Sequence, residues 1–206
     1  NYANAIGIIV ETEFMSRVLA FDTWQERWGN TDRVLTEEQN ESVAMQTFSG
    51  LDLTKRIVEG QAGIDGMTAA KRCWNYQKGG LQWYLPCLME LGVLCAYRDE
   101  INKAMKEIGC PDECLLPTED SDETWVWSSS ESSQVNSWYV YFSNGNFYNG
   151  TKYYSVMVRA VAAFQPSPSL LTGEAKSNDC LHSDEALINM LRERGYKGEL
   201  TKTLTI

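Results

Sequence analysis

The dipeptide Asn144-Gly145 follows at once on Ser137 to Phe142, where Trp138, Val140 and Phe142 alternate with Tyr139 and Tyr141. Apolar side chains at every second residue have the period of a strand. Asn-Gly is the dipeptide best able to take the positive φ angles of a tight hairpin. A β-hairpin is therefore expected here, with Trp138 and Val140 in a core and Tyr139 and Tyr141 on an open face. Val156 to Phe164 is almost continuously apolar, as in a central strand covered on both sides, with Arg159 paired or reaching out along its edge. Trp125-Val126-Trp127, Ile6 to Val10 and Met15 to Phe21 read as further strands, and Trp24 and Trp28 follow at helical spacing.

Between these strand segments the apolar period changes to that of helices. Ser42 to Val58 fits helical turns broken near Ser49-Gly50, and Met67 to Tyr76 carries Ala70, Cys73 and Trp74 on one stripe. A third helix is expected to start at Pro86, with Leu88, Leu91, Leu94 and Cys95 as its buried face, and a fourth to run from Arg98 to Ile108 before Gly109. Gln165-Pro166-Ser167-Pro168-Ser169 reads as a linker, because each proline fixes φ and removes a donor. The main domain is thus expected over 1–164. Over 165–206 the linker leads to an appendage of one helix, capped by Ser183 and stopped at Gly195, and one strand from Glu199 to Ile206. So small a unit needs to dock on the domain or on a neighbouring chain, the latter making a homo-oligomer.

Charge and residue inventory exclude several classes. A formal charge of -10 with no clustered Lys/Arg stripe repels phosphate backbones, so nucleic acid is not an expected partner. No apolar run approaches the roughly 18 residues of a membrane span, so no membrane insertion is expected. The start at Asn1 rather than Met is what removal of a leading segment would leave. The six cysteines, Cys73, Cys87, Cys95, Cys110, Cys114 and Cys180, are read as buried or idle thiols, since a chain of 206 residues does not need staples. Cys110 and Cys114 have a spacing seen in zinc sites, but the one histidine, His182, lies far along the chain, so neither metal nor cofactor is expected. Glu90, Asp99 and Glu100 are read as a solvated helix face, and Glu119 to Glu123 as a solvated connection.

What remains is a peculiar 26-residue stretch. Ser132 to Met157 holds five Tyr, five Ser, four Asn and two Gly, with Lys152 as its one charge. Tyr offers large, stiff, amphipathic contact area at low entropic cost, and Ser, Asn and Gly offer adaptable hydrogen bonding, as in antibody paratopes. An ordinary exposed sheet face carries Lys, Glu and Thr, whose charges also guard open edges. The stretch reads as a contact surface.

The same residues carry a family resemblance. Trp127 to Glu131, Ser137 to Gly145 and Val158 to Val161 resemble the variable region of the proteins diversified by diversity-generating retroelements. Trp83-Tyr84-Leu85-Pro86, Met89-Glu90-Leu91 and Asn102-Lys103-Ala104 resemble the helical half of that domain, as found in gut Bacteroides and their phages. The resemblance covers roughly Ile6 to Phe164. It implies an α+β, C-type-lectin-like fold with helices flanking a small twisted antiparallel sheet, whose framework includes Trp127, Trp138, Val140, Gly145, Val158, Arg159 and Val161. It further implies ligand-binding positions at Ser132, Gln134, Val135, Asn136, Tyr139, Tyr141, Asn144, Asn146, Tyr148, Asn149, Tyr153, Tyr154 and Val156 within a variable region 132–157. An Asn codon randomised at its two adenines can yield Tyr, Ser, Asn, Gly, Val or Phe, the residues prominent in this stretch.

The expected function is ligand or receptor recognition on a virion tail tip or a bacterial cell surface, with a protein or glycan receptor as partner. Formylglycine-generating oxidases share the implied architecture, yet fold alone does not carry an activity. No cysteine pair here sits in their motif, so no enzyme is expected. A calcium-dependent sugar lectin would need a Glu-Pro-Asn or Gln-Pro-Asp signature, which the sequence lacks.

Overall fold

The apolar run after Tyr154 forms β7 (Ser155–Ala163), and its neighbours explain why it has almost no polar residue. β2 (Ser16–Arg27) pairs along one edge, while β3 (Trp83–Tyr84) and β4 (Trp125–Glu131) share the other. The computed structural model describes residues 2, 5–29, 33–61, 66–119 and 124–164, together with the backbone of 199–205. Within them β1 (Ala5–Glu11), β5 (Asn136–Tyr141), β6 (Asn146–Thr151) and β8 (Glu199–Thr205) complete one sheet in the order β6-β5-β4-β7-β2-β1-β8.

The fold is α+β, but the sheet is larger than the small antiparallel one expected, and it is mixed. β4 runs parallel to β7 at Val126 and Met157, and β8 runs parallel to β1. A two-residue hairpin forces antiparallel pairing, whereas a long connection leaves direction free. β4 is reached through a helical excursion of that kind. The strand expected at the C-terminus thus docks by its backbone on the domain, while the linker and the helix expected after Ser183 lie outside the described residues.

Helices cover both faces. α4 (Leu88–Ala96) and α5 (Arg98–Glu107) bury Leu88, Leu91, Leu94, Ile101 and Met105 against Phe21, Val126, Trp138, Val140 and Phe142. α2 (Gly50–Gly60) and α3 (Ala69–Trp74) bring Ile57, Ala69, Ala70 and Cys73 onto Trp28, Trp127, Val158 and Ala160. A four-residue α1 (Glu41–Ala44) is capped by Asn40, whose side chain accepts from the Val43 amide. Each fully buried Leu or Ile contributes about 1.5–3 kcal/mol. Trp24 proves to belong to β2, because pairing with β7 continues to Arg27 opposite Ser155.

Two buried charges correct the sequence reading. Glu90 is not on a solvated face: its carboxylate accepts from Arg17 Nε at 2.7 Å, Tyr84 OH at 2.8 Å and the Cys87 amide at 3.0 Å, with the side chain fully buried. That bond to Cys87 caps the helix, which is why α4 begins at Leu88 and not at Pro86. Burial and the nearby Glu90 charge push the Tyr84 phenol up, so it stays a donor. Among the described residues Arg159 makes no ion pair, and in a central strand it has no open edge to reach. It donates to the Phe21 carbonyl at 3.3 Å and to the Cys114 carbonyl, and burial pulls its guanidinium down to about 10. The five described cysteines are free and buried, and Cys180 and His182 lie outside the described residues.

Gly50 opens α2 where the chain passes over this Glu90 network. A Cβ there would run into the Glu90 carboxylate and come within 2.8 Å of the Cys87 amide nitrogen. Gly50→Ala is expected to lower stability by about 1–3 kcal/mol, the usual range for overpacking. Urea unfolding checks this, and an unchanged midpoint would mean that the carboxylate can move aside.

Candidate functional site

β4, β5 and β6 form a three-stranded antiparallel unit at one end of the sheet, with Trp127 opposite Tyr139 and Tyr139 opposite Tyr148. Directly opposed residues share a face. Trp125, Trp127, Tyr139, Tyr141 and Tyr148 therefore line one side, and their rings form a continuous array. Trp125 stacks on Tyr139 at 5.0 Å and 13°, Trp127 meets Tyr139 edge-on at 5.5 Å, and Tyr148 lies 6.2 Å from Tyr139 and 6.4 Å from Tyr141. Gly150 leaves room for this. A Cβ there would stand 3.0 Å from the Tyr139 ring, so a larger residue would push that ring aside by a few tenths of an ångström.

The thirteen expected ligand-binding positions divide into three groups. Gln134, Val135, Asn144, Asn146, Tyr148, Asn149, Tyr153 and Tyr154 are exposed, and Ser132, Asn136 and Tyr141 are half-buried. Tyr139 and Val156, at 7% and 5% exposure, belong to the core and are corrected accordingly. Tyr139 is covered because Trp125 and Trp127 lie on the same side of the neighbouring strand. Val156 shares the face of Val158 and Ala160, which packs on the α3 side of the sheet. Burial, together with the neighbouring hydroxyls of Tyr148 and Tyr154, pushes the Tyr139 phenol up from its ordinary range.

The exposed positions do not make one face either. Asn136 and Asn149 share the side of Trp138 and Phe147, and their side chains meet at 3.4 Å. Asn146 lies on the other side, where its amide donates to Tyr148 OH at 3.3 Å. The two-residue period of β6 sends Tyr148 and Asn149 to opposite sides, so the exposed positions wrap around its edge.

The sequence reading treated Lys152 as the lone charge of this surface, and the fold removes it from the surface altogether. Its ammonium is fully buried, 2.5 Å from the Glu131 carboxylate, and also donates to the Gln134 carbonyl at 2.9 Å and the Arg33 carbonyl at 3.5 Å. The Trp28 ring lies below it at 4.8 Å. Glu131 accepts further from the amides of Leu35 and Thr36 and from Thr36 Oγ1. No short-range pattern announces this pair, because its members are 21 residues apart in the chain. Trp125 was also missed as a surface element, although its two-residue spacing from Trp127 places both on one face.

Two cavities lie nearby. A recess of about 450 Å3 between α4 and the β5–β6 hairpin is lined by Gly92, Cys95, Arg98, Asn144, Gly145 and Phe147. A larger one of about 990 Å3 lies between α5 and 112–119 and contains none of the thirteen positions. Among the described residues no cluster of three His, Cys, Asp or Glu is placed to hold a metal, and no helix is long and apolar enough to cross a membrane.

No protein-family profile and no curated protein matches the chain. A solved fimbrial protein from Bacteroides ovatus ATCC 8483 is 16% identical, over 72% of this chain and 36% of that one, with a TM-score of 0.49. The chain thus spans little more than a third of that protein's length.

Removing the ammonium from the buried pair would strand Glu131 without its counter-charge. Lys152→Met is therefore expected to cost about 3–5 kcal/mol. Denaturant melts check the loss, and a change below about 1 kcal/mol would mean that water reaches the carboxylate.

Proposed function

We propose that this chain is a recognition module whose exposed tyrosines and asparagines around β5 and β6 bind a receptor at a virion tail or bacterial surface. In this reading it is a variable protein of a diversity-generating retroelement, with a C-type-lectin-like domain and no catalytic activity. One observation carries the proposal. A protein of charge -10 presents a surface of exposed tyrosines and amides from which its one cation, Lys152, has been withdrawn into a buried pair. Such a surface has no charge to desolvate on contact and loses little side-chain entropy, since each Tyr has only two rotatable angles. Its base is rigid, because Trp138 is anchored by a 2.8 Å bond from its indole to the Gln39 carbonyl.

The proposal separates binding from folding. Replacing the exposed Tyr153 and Tyr154 by Ser is expected to cost no more than about 0.5 kcal/mol of stability each, and replacing Tyr141 and Tyr148, whose rings pack in the array, about 0.5–1.5 kcal/mol each, while affinity falls by about 2 kcal/mol or more where a ring is an anchor. Trp138→Ala, by contrast, is expected to cost about 3–5 kcal/mol of stability. Melting curves and binding of labelled protein to a panel of intact bacterial cells provide the two readouts. A tyrosine variant that melts as early as Trp138→Ala, or that binds cells as the parent does, refutes the proposal. A reverse-transcriptase gene beside a near-copy of the codons for 132–157, differing at adenines, is the expected genomic setting.

A further inference from the structure

The sheet ends differently on its two sides. On one side β1 is covered by the backbone of β8, whereas on the other β6 has β5 as its neighbour and, among the described residues, no strand on its outer edge. In an antiparallel pair every second residue of an edge strand turns its N–H and C=O away from its partner, so β6 presents a row of main-chain donors and acceptors. Proteins ordinarily blunt such an edge with Lys, Pro, a bulge or an inward-pointing charge. β6 has none of these. Its sequence, Asn146 to Thr151, contains no charged residue and no proline, and its pairing with β5 runs through six consecutive registers without a shift.

The placement of the exposed side chains adds a second observation. Tyr148 and Asn146 stand on one side of this strand and Asn149 on the other. A ligand stacked on the aromatic rings alone would leave Asn149 untouched. An extended polypeptide laid along β6 would meet both, because its own side chains alternate between the two faces while its main chain bonds to the edge. We propose that the partner is a polypeptide that adds an extended segment to the free edge of β6, with Tyr148 and Asn149 reading alternate side chains of that segment. The proposal rests on the recognition reading above and narrows it to a protein ligand.

The test uses the full chain. A displayed library of random linear peptides is panned against it, with an array of neutral oligosaccharides probed in parallel, and enriched peptides are remade with single N-methyl groups. Strand addition predicts that amide exchange over 146–151 slows on peptide binding. It also predicts that N-methylation weakens binding roughly tenfold at every second peptide position and little at those between. Tyr148→Ser is expected to weaken the same peptides. Peptides that depend on Tyr148 but show no alternation, or binding confined to saccharides, overturn strand addition and leave surface recognition standing. Absence of any binder in both screens overturns both readings. Light scattering that finds the free chain dimeric, with 146–151 already protected, overturns it in favour of a second copy as the occupant.

Discussion

The buried pair of Lys152 and Glu131 holds together parts of the chain that no local interaction would keep in place. Taking both charges out of water costs several kcal/mol per ion, so such a pair survives only with its hydrogen-bonding capacity filled. Here the hydrogen bonds come from the 33–36 segment and from the β4–β5 turn through Gln134, and the Trp28 ring lies against the ammonium. Around it the Gly29 amide bonds the Lys152 carbonyl, the Lys152 amide bonds the Val135 carbonyl and the Gln39 amide bonds the Glu131 carbonyl. The turns carrying Val135 and Tyr153 are therefore tied to the rest of the domain by one ion pair and its surroundings. The exposed tyrosines can vary without touching that anchor.

A similar division runs through the neighbouring strands. β4 and β5 turn hydroxyls inward onto main-chain carbonyls, with Ser128 Oγ donating to the Trp138 carbonyl at 2.7 Å and Ser137 Oγ to the Ser130 carbonyl at 2.6 Å. Trp28 and Trp138 bury their rings and hand their indole N–H groups to backbone carbonyls. Framework and display thus use different chemistry on the same stretch: inward-facing hydroxyls and large rings within, exposed amides and phenols outside. Tyr139 belongs to the first set. It is the ring on which Trp125, Trp127 and Tyr148 converge, and it supports the exposed array without being part of its outer surface.

Much of the fold was legible in local patterns. The alternation over Ser137 to Phe142, the Asn144-Gly145 turn with Gly145 at φ 77, and the apolar run that became β7 all appear where period and turn chemistry place them. The helices of the middle third follow from their stripes; α3, α4 and α5 have ends displaced by a residue or two, with Glu90 capping α4, whereas the stretch expected to be helical from Ser42 up to the break near Ser49 is helical only to Ala44 in α1. Expected exposure went astray at positions whose environment is set by a strand distant in sequence. Alternation states that Tyr139 and Trp138 face opposite ways, and is silent on whether something covers the second face.

The sequence by itself determined which residues alternate, where the chain turns, and that 132–157 is rich in tyrosine and amide and nearly free of charge, because period, turn preference and composition are local properties. Only the tertiary structure decided that Lys152 is withdrawn to Glu131, that Arg159 and Glu90 are buried, that the sheet is mixed with β8 on one edge and β6 open on the other, and that the displayed residues wrap around that edge. Each of these depends on what approaches from far along the chain. Burial and pairing are properties of neighbours in space, which a one-dimensional pattern does not contain.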